Sequence, residues 1–124
     1  MLAETDGALP SASRRDERRI TEAVRRIEME AHEISHEQLS LTALARESAM
    51  SPYHFLRRFQ QVVGMTPHQF VLRARLHRVA VRVRRSNEPI SCIAFDAGFN
   101  DLSTFNRRFR RVIGVNPSAY RRQR

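Results

Sequence analysis

Apolar residues recur three and four apart along most of this 124-residue chain, and no stretch alternates convincingly with period two. That pattern predicts helices and no sheet. The opening residues are small, polar and proline-containing, and they read as a flexible arm over residues 1–15. Ile20, Ala23, Val24, Ile27 and Ala31 then share one face, which predicts an amphipathic helix from about Asp16 to Ala31. Ser40 is placed to cap a short helix carrying Leu41, Leu44 and Ala45. Ser51-Pro52 opens a further helix with Phe55, Phe59, Val62 and Val63 inward, and Gly64 ends it. Thr66-Pro67 starts a long helix that runs to about Arg85. Glu88-Pro89 breaks the chain before a short helix begun by Ile90, Ile93 and Ala94. After Gly98-Phe99-Asn100 comes a helix with Phe105, Phe109, Val112 and Ile113 inward. Gly114 stops it, and Asn116-Pro117 starts a last turn through Tyr120.

Two of these segments are copies of each other. Leu41, Leu44, Ala45 and Ala49 match Ile90, Ile93, Ala94 and Gly98 at an offset of 49. One added residue in the turn makes the offset 50, at which Phe55, Phe59, Gly64, Pro67 and Phe70 match Phe105, Phe109, Gly114, Pro117 and Tyr120. Each copy is a short helix, a tight turn and a longer helix, with a basic pair at Arg57-Arg58 and again at Arg107-Arg108. This is the layout of a helix-turn-helix, whose second helix enters the DNA major groove. A single such pattern is common among helical hairpins, whereas two copies with matching arginines form a far more specific signal. The expected architecture is all-α, with about seven helices. Subdomains at 16–66 and 87–124 are joined by a connecting helix over 67–86.

Charge sharpens the picture. All 22 basic residues are arginine, against 13 acids, for a net charge of +9. Residues 51–124 hold fifteen arginines against Glu88, Asp96 and Asp101, whereas residues 20–50 are net acidic. A chain so polarised is suited to meet a polyanion with one surface. Arginine's planar fork matches phosphate and guanine, although a solvated arginine face is the bland alternative. No run approaches the roughly 18 apolar residues of a membrane span, and the first residues lack the pattern of a signal peptide. One cysteine, Cys92, excludes an internal disulfide and a multi-cysteine zinc site. A cytoplasmic, nucleoid-associated protein is expected.

The stretch from Ile93 to Arg121, IAFDAGFNDLSTFNRRFRRVIGVNPSAYR, resembles the signature of the AraC/XylS-type transcription regulators. Ala94, Gly98-Phe99, Phe105, Arg107, Phe109, Gly114, Pro117 and Tyr120-Arg121 carry the resemblance. The first copy, from Leu41, fits the looser pattern of that family's first helix-turn-helix. Asn116 stands where the family usually has serine or threonine, a mild departure because asparagine also caps helices. Residues 1–19 are too few for the sensory domain most members carry, so the chain resembles a stand-alone member or an excised DNA-binding domain.

Helical geometry then orders the side chains. With Phe55 inward and about 100° per residue, Tyr53, Arg57 and Gln60 point outward, flanked by His54, Arg58 and Gln61. In the second copy Ser103, Arg107 and Arg110 oppose Phe105, with Thr104, Asn106, Arg108 and Arg111 beside them. The resemblance implies base contacts by Tyr53, Arg57, Ser103, Asn106 and Arg107, and arginine and asparagine can bond guanine and adenine in bidentate fashion. Phosphate contacts are assigned to Ser51, His54, Arg58, Gln60, Gln61, Asn100, Thr104, Arg108, Arg110 and Arg111. Ser51 and Asn100 take theirs at helix N-termini. Leu56 and Leu102 are suited either to a thymine methyl or to packing between subdomains.

These residues imply a double-stranded promoter DNA partner, with RNA polymerase as a second contact, binding as a monomer and no membrane or cofactor. The function expected is sequence-specific transcription regulation, with activation favoured, and the protein is not expected to be an enzyme. The two recognition helices would enter successive major grooves, one turn of DNA apart, across a connector spanning roughly 28 Å at 1.5 Å per residue. A non-specific architectural DNA-binding protein is the nearest alternative, and a cationic membrane-active protein a distant one.

Three further features carry weaker signals. His32-Glu33-Ile34-Ser35-His36 matches the zinc-protease pattern H-E-x-x-H, but Thr42 occupies the position where one such class has a third histidine. Solvated histidines are the default there. Cys92 lies between core positions and is expected to be partly exposed, and a single thiol with no partner is more often inert than a sensor. Six of the seven phenylalanines fall on expected core faces or beside turns, which leaves Tyr53 as the plausible surface aromatic and disfavours a single-strand stacking platform. Glu33→Gln, or treatment with a chelator, is therefore expected to leave DNA binding unchanged. Stoichiometric zinc retained after dialysis would reopen the enzyme alternative.

Overall fold

The computed structural model describes residues 11–30 and 39–123. Among these residues there are seven α-helices and no strand: α1 (Ser11–Glu30), α2 (Leu41–Glu47), α3 (Pro52–Val63), α4 (Pro67–Arg85), α5 (Ile90–Asp96), α6 (Leu102–Ile113) and α7 (Pro117–Arg122). The chain is all-α, as its periodicity requires. Helix α1 starts earlier than expected. Residues 11–15, read from the sequence as part of an arm, are helical, and the segment from Ser11 to Glu30 contains neither glycine nor proline to stop propagation toward the N-terminus. The His32–His36 motif lies outside the described residues.

Caps set most of the boundaries. Ser40, Ser51 and Asn116 each accept a hydrogen bond from the backbone N–H three residues on, at Ala43, His54 and Ala119. Thr66 and Gln69 form a reciprocal capping box at the start of α4, with N···O distances of 3.0 and 3.1 Å. Gly64 and Gly114 close α3 and α6 in left-handed conformation, each donating its N–H to the carbonyl four residues back.

The chain divides into two compact units. The first holds α1, α2, α3 and the opening turn of α4 through Phe70. Its core is Ile20, Ala23 and Ile27 from α1, with Leu39, Leu44, Ala45, Phe55 and Phe59. Phe59 meets Phe55 at 5.6 Å and the edge of Phe70 at 5.8 Å between ring centroids. The second unit runs from Val71 onward. Leu76, Val79, Ala80 and Val83 of α4 are buried there with Ile93, Ala94, Phe105 and Phe109. Phe109 meets Phe105 and Tyr120 at 5.7 and 5.8 Å, so the aromatic arrangement of the first unit is repeated. Most of α4, expected as a connector, is thus itself a core element of the second unit.

Two apolar positions depart from expectation. The helical spacing places Val62 inward with Phe55 and Phe59, but it is 40% exposed. It lies in the last turn of α3, where the helix runs past its core, and Phe55 and Phe59 are the buried residues of that helix. Phe95, at 52% exposed, joins Tyr53 as a surface aromatic. Cys92 is exposed.

The turn between the two helices of each copy differs in one informative way. Gly98 has φ +96° in the second copy, and the equivalent residue of the first, Ala49, is held at φ +59°. A left-handed alanine costs roughly 1–2 kcal/mol, against about 0.5–1 kcal/mol of extra unfolded-chain entropy for glycine. Ala49→Gly is therefore expected to stabilise the protein by about 0.5–1 kcal/mol in urea denaturation. Gly114→Ala should lose about 0.5–1 kcal/mol by the same balance, because a Cβ there would meet nothing within 4 Å. Destabilisation by Ala49→Gly would mean that the alanine methyl contributes packing its exposed position does not suggest.

Candidate nucleic-acid interface

Helices α3 and α6 are built alike from the core outward. In each, phenylalanines four residues apart are fully buried, at Phe55 and Phe59 in α3 and Phe105 and Phe109 in α6. Burying that stripe fixes the rotation of the helix and turns the opposite face to solvent. Tyr53, Arg57, Gln60 and Gln61 are accordingly exposed on α3, as are Ser103, Asn106, Arg107, Arg108, Arg110 and Arg111 on α6. Leu56 is half-buried, and Leu102 is exposed at the start of α6.

On α3 the outward side chains are already organised. The Arg57 Nη1–H donates to the Tyr53 hydroxyl at 2.9 Å, and the guanidinium lies 5.6 Å from the ring centroid. Tyr53 and Arg57 are one helical turn apart, so the contact follows from their spacing. It shortens the list of rotamers open to Arg57 while leaving most of its donor fork unused. Arg58 is half-buried and donates to Gln61 Oε1 at 2.7 Å. A second helix reaches this flank: Asp16 of α1 places Oδ2 2.8 Å from His54 Nε2 and 3.4 Å from Arg58 Nε. Spacing along α3 could reveal the Tyr53–Arg57 pair, but the approach of Asp16 depends on tertiary packing and had no sequence signal.

The start of α6 corrects one assignment. Asp101, not Asn100, is the N-cap. Its Oδ1 accepts from the Thr104 backbone N–H at 2.7 Å, and its Oδ2 accepts from the Thr104 hydroxyl at 3.1 Å. These bonds, the backbone one first, hold the Asp101 carboxyl below its usual range, and the charge of Arg107 adds a smaller pull in the same direction. Asn100 precedes the cap and is exposed. A carboxylate therefore occupies the helix N-terminus that the sequence assigned to a phosphate. Ser51 does cap α3, and although its oxygen accepts from the His54 N–H at 3.2 Å, its hydroxyl proton remains available to an anion.

Several arginines are committed to the fold itself. Arg82 bonds Glu88, with Nε to Oε2 at 2.9 Å, and reaches Asp96 at 2.8 Å; these bonds, Glu88 first, raise its pKa and lower that of Glu88. Arg84 lies 4.4 Å from the Tyr120 ring centroid, and Arg121 Nε donates to the Val83 carbonyl at 2.8 Å. Arg26 pairs with Glu30 and Glu47. Arg75 is nearly buried, which lowers its pKa from the ordinary value. By contrast, Arg108, Arg110 and Arg111 form no ion pair with any described residue. Among the described residues, no acid neutralises these three cations of the α6 surface.

No helix among the described residues is long and apolar enough to cross a membrane, and no cluster of three or more metal-ligating side chains occurs among them. Comparison with known proteins agrees with the geometry. A family profile described as a helix-turn-helix domain matches residues 44–123. Regulatory protein SoxS of Salmonella typhimurium is 35% identical over 83 residues, covering 67% of this chain and 78% of that protein. A transcriptional regulator from Chromobacterium violaceum, described among AraC-type DNA-binding domain-containing proteins, superposes with a TM-score of 0.74 at 27% identity, over 85% of this chain and 90% of that one. The DNA-binding domain of the global transcriptional factor AdpA, in complex with a target DNA, gives a TM-score of 0.68 at 27% identity, over 84% and 90% of the two chains. The chain spans only 26–34% of the length of four other curated relatives it matches.

Proposed function

Because the chain belongs to the AraC-type helix-turn-helix family of DNA-binding transcription regulators, we propose that it recognises a specific duplex sequence with α3 and α6. One observation carries this reading. The two helices bury equivalent phenylalanine pairs and expose arginines, Arg57 and Arg107, at equivalent outward positions. In this proposal both arginines read base edges, with Tyr53 orienting Arg57, and Ser103 and Asn106 completing the second contact. Arg58, Arg108, Arg110, Arg111, Gln60, Gln61, Ser51, His54 and Thr104 take phosphates, and these contacts supply affinity and position rather than sequence choice. Asn100 keeps a phosphate role only as an exposed side chain beside the Asp101 cap.

The protein acts as a monomer on a site with two unlike halves, since the exposed faces of α3 and α6 carry different side chains. Each recognition helix enters its own major groove, and the surface left over meets RNA polymerase during activation. The chemistry is binding, without catalysis or a cofactor, and it takes place wherever the promoter DNA lies.

Selection from a random duplex library should return one bipartite site of about 20 base pairs, two turns of DNA. On that site Arg57→Ala and Arg107→Ala are each expected to cost roughly 1–3 kcal/mol and to relax base choice in one half only. Arg110→Ala should weaken all sequences alike and reduce the salt slope by about one unit. Equal affinity for the selected and random duplexes would instead mark an architectural protein. Inserting about five base pairs between the halves turns one groove to the opposite side, and about ten restores its face but adds ~34 Å. Anisotropy titration should show tight binding lost in both cases. Recovery with the longer insertion would mean that two chains share the site or that the link between the units yields.

A further inference from the structure

The outward face of α3 is touched by one acid from another helix. Asp16 of α1 is largely buried, with 15% of its side chain exposed, whereas half of the His54 imidazole is open to solvent. A carboxylate has no proton to donate, so the 2.8 Å contact between Oδ2 and Nε2 requires the proton on Nε2. The ring's other polar atom is then Nδ1. In neutral imidazole with Nε2 protonated, Nδ1 is a lone-pair acceptor, which repels a phosphate oxygen. Only imidazolium donates from both nitrogens at once.

We propose that Asp16 is a positioning residue that holds His54 for a proton-linked phosphate contact, so that engagement of DNA by the first unit takes up a proton at His54. This rests on the DNA-binding function proposed above. Nε2–H stays on Asp16, and the proton taken from solvent lands on Nδ1 and is donated to the phosphate. No bond other than hydrogen bonds is made or broken.

Charged groups from two helices lie around the ring. From α1, Asp16 faces it directly, and on α3 itself Arg58 shares that carboxylate at 3.4 Å. Arg57 lies farther round the helix and is held by Tyr53, and Glu47, at the end of α2, is paired with Arg26 of α1. Among the described residues, Asp16 is the carboxylate in contact with the ring, and Arg58 shares it. On DNA the phosphate adds a second anion beside the ring and tips the balance toward imidazolium. The second unit has no counterpart. Thr104 stands at the equivalent position and gives its hydroxyl proton to Asp101, a pair that does not change charge between pH 6 and 8. Of the two recognition helices, only the first therefore carries such a contact.

The test is an anisotropy titration of the full chain between pH 6 and 8 at constant ionic strength. The probes are a duplex carrying the library-selected site and a scrambled duplex of equal length. Affinity for the selected duplex should rise as pH falls, approaching about tenfold per pH unit where one whole proton is taken up. His54→Gln should remove that part of the slope, leaving only what the other histidines contribute. Asp16→Asn should change that slope, because the ring loses the carboxylate that holds its Nε2–H. Parallel profiles for the wild type and His54→Gln would overturn the proposal, as would an Asp16→Asn profile superimposed on the wild type. His54 lies on an exposed face, so its variant decides the matter alone should Asp16→Asn fail to fold. Loss of preference between the two duplexes at every pH would instead refute the underlying DNA-recognition reading. Retained preference with parallel pH profiles would refute only the proton linkage.

Discussion

Burial of a phenylalanine pair on one side of a helix leaves very little freedom for the other side. Phe55 and Phe59, and again Phe105 and Phe109, are fully enclosed, and each pair sits in a T-shaped or tilted cluster with a third aromatic, Phe70 or Tyr120. Interiors pack too densely for such rings to rotate away without large loss. With 3.6 residues per turn, fixing two rings four apart fixes the azimuth of every other side chain on the helix. The outward positions of Arg57 and Arg107 follow from that constraint. Recognition chemistry on α3 and α6 is in this sense a by-product of aromatic packing, and the caps at Ser51 and Asp101 and the stops at Gly64 and Gly114 only decide where each presenting face begins and ends.

The repeat conserves this packing frame but varies what is hung on it. Ala49 tolerates a left-handed backbone where its counterpart is Gly98. Ser51 caps α3 with a neutral hydroxyl, and Asp101 caps α6 with a charge. His54 faces an acid from a neighbouring helix, while Thr104 turns back to its own cap. Each change alters the electrostatics at the N-terminal end of a recognition helix without disturbing the phenylalanine stripe. The anionic cap matters for α6 in particular. It neutralises part of the helix dipole, where the neutral Ser51 leaves it open to a phosphate.

Most of the fold was legible because its signals are local. Periodicity placed the phenylalanine stripes, proline at the first helical position marked the starts of α3, α4 and α7, and glycine marked the ends of α3 and α6. Outward-facing positions were legible for the same reason, since they are defined by rotation from a core residue on the same helix. What escaped depends on neighbours distant in sequence or on competition between adjacent candidates. Asp16 lies 38 residues from His54, and nothing in either segment announces the pairing. Asn100 and Asp101 are both good capping residues, and the choice fell to the ionised one, which makes the stronger bond to an N–H. Val62 satisfies the helical period yet lies in a last turn that overruns its core, which periodicity alone does not reveal. Residues 11–15 look like an arm by composition, but α1 propagates through them because nothing in that segment breaks a helix.

An arginine-only basic set has a further consequence for how charge is divided. Arginine stays ionised in any environment met here, so its positive charge cannot be relieved by losing a proton and has to be met by a partner. In the second unit Glu88 and Asp96 converge on Arg82, while Arg84 and Arg121 are held by the Tyr120 ring and a backbone carbonyl. The described acids of that unit are thereby used up on α4 or, in Asp101, on a cap that lies beside Arg107. What remains on α6 is a group of guanidinium ions, Arg108, Arg110 and Arg111, that pair with no acid among the described residues. Their mutual repulsion disfavours the free state and is relieved when counterions or phosphates gather on that face. The first unit is arranged differently: Asp16 offsets Arg58, and Tyr53 occupies Arg57. Under the function proposed above, α6 takes the larger share of non-specific attraction, and α3 makes the more ordered contact. Two copies of one packing scheme thus acquire different tasks from where their few acids fall.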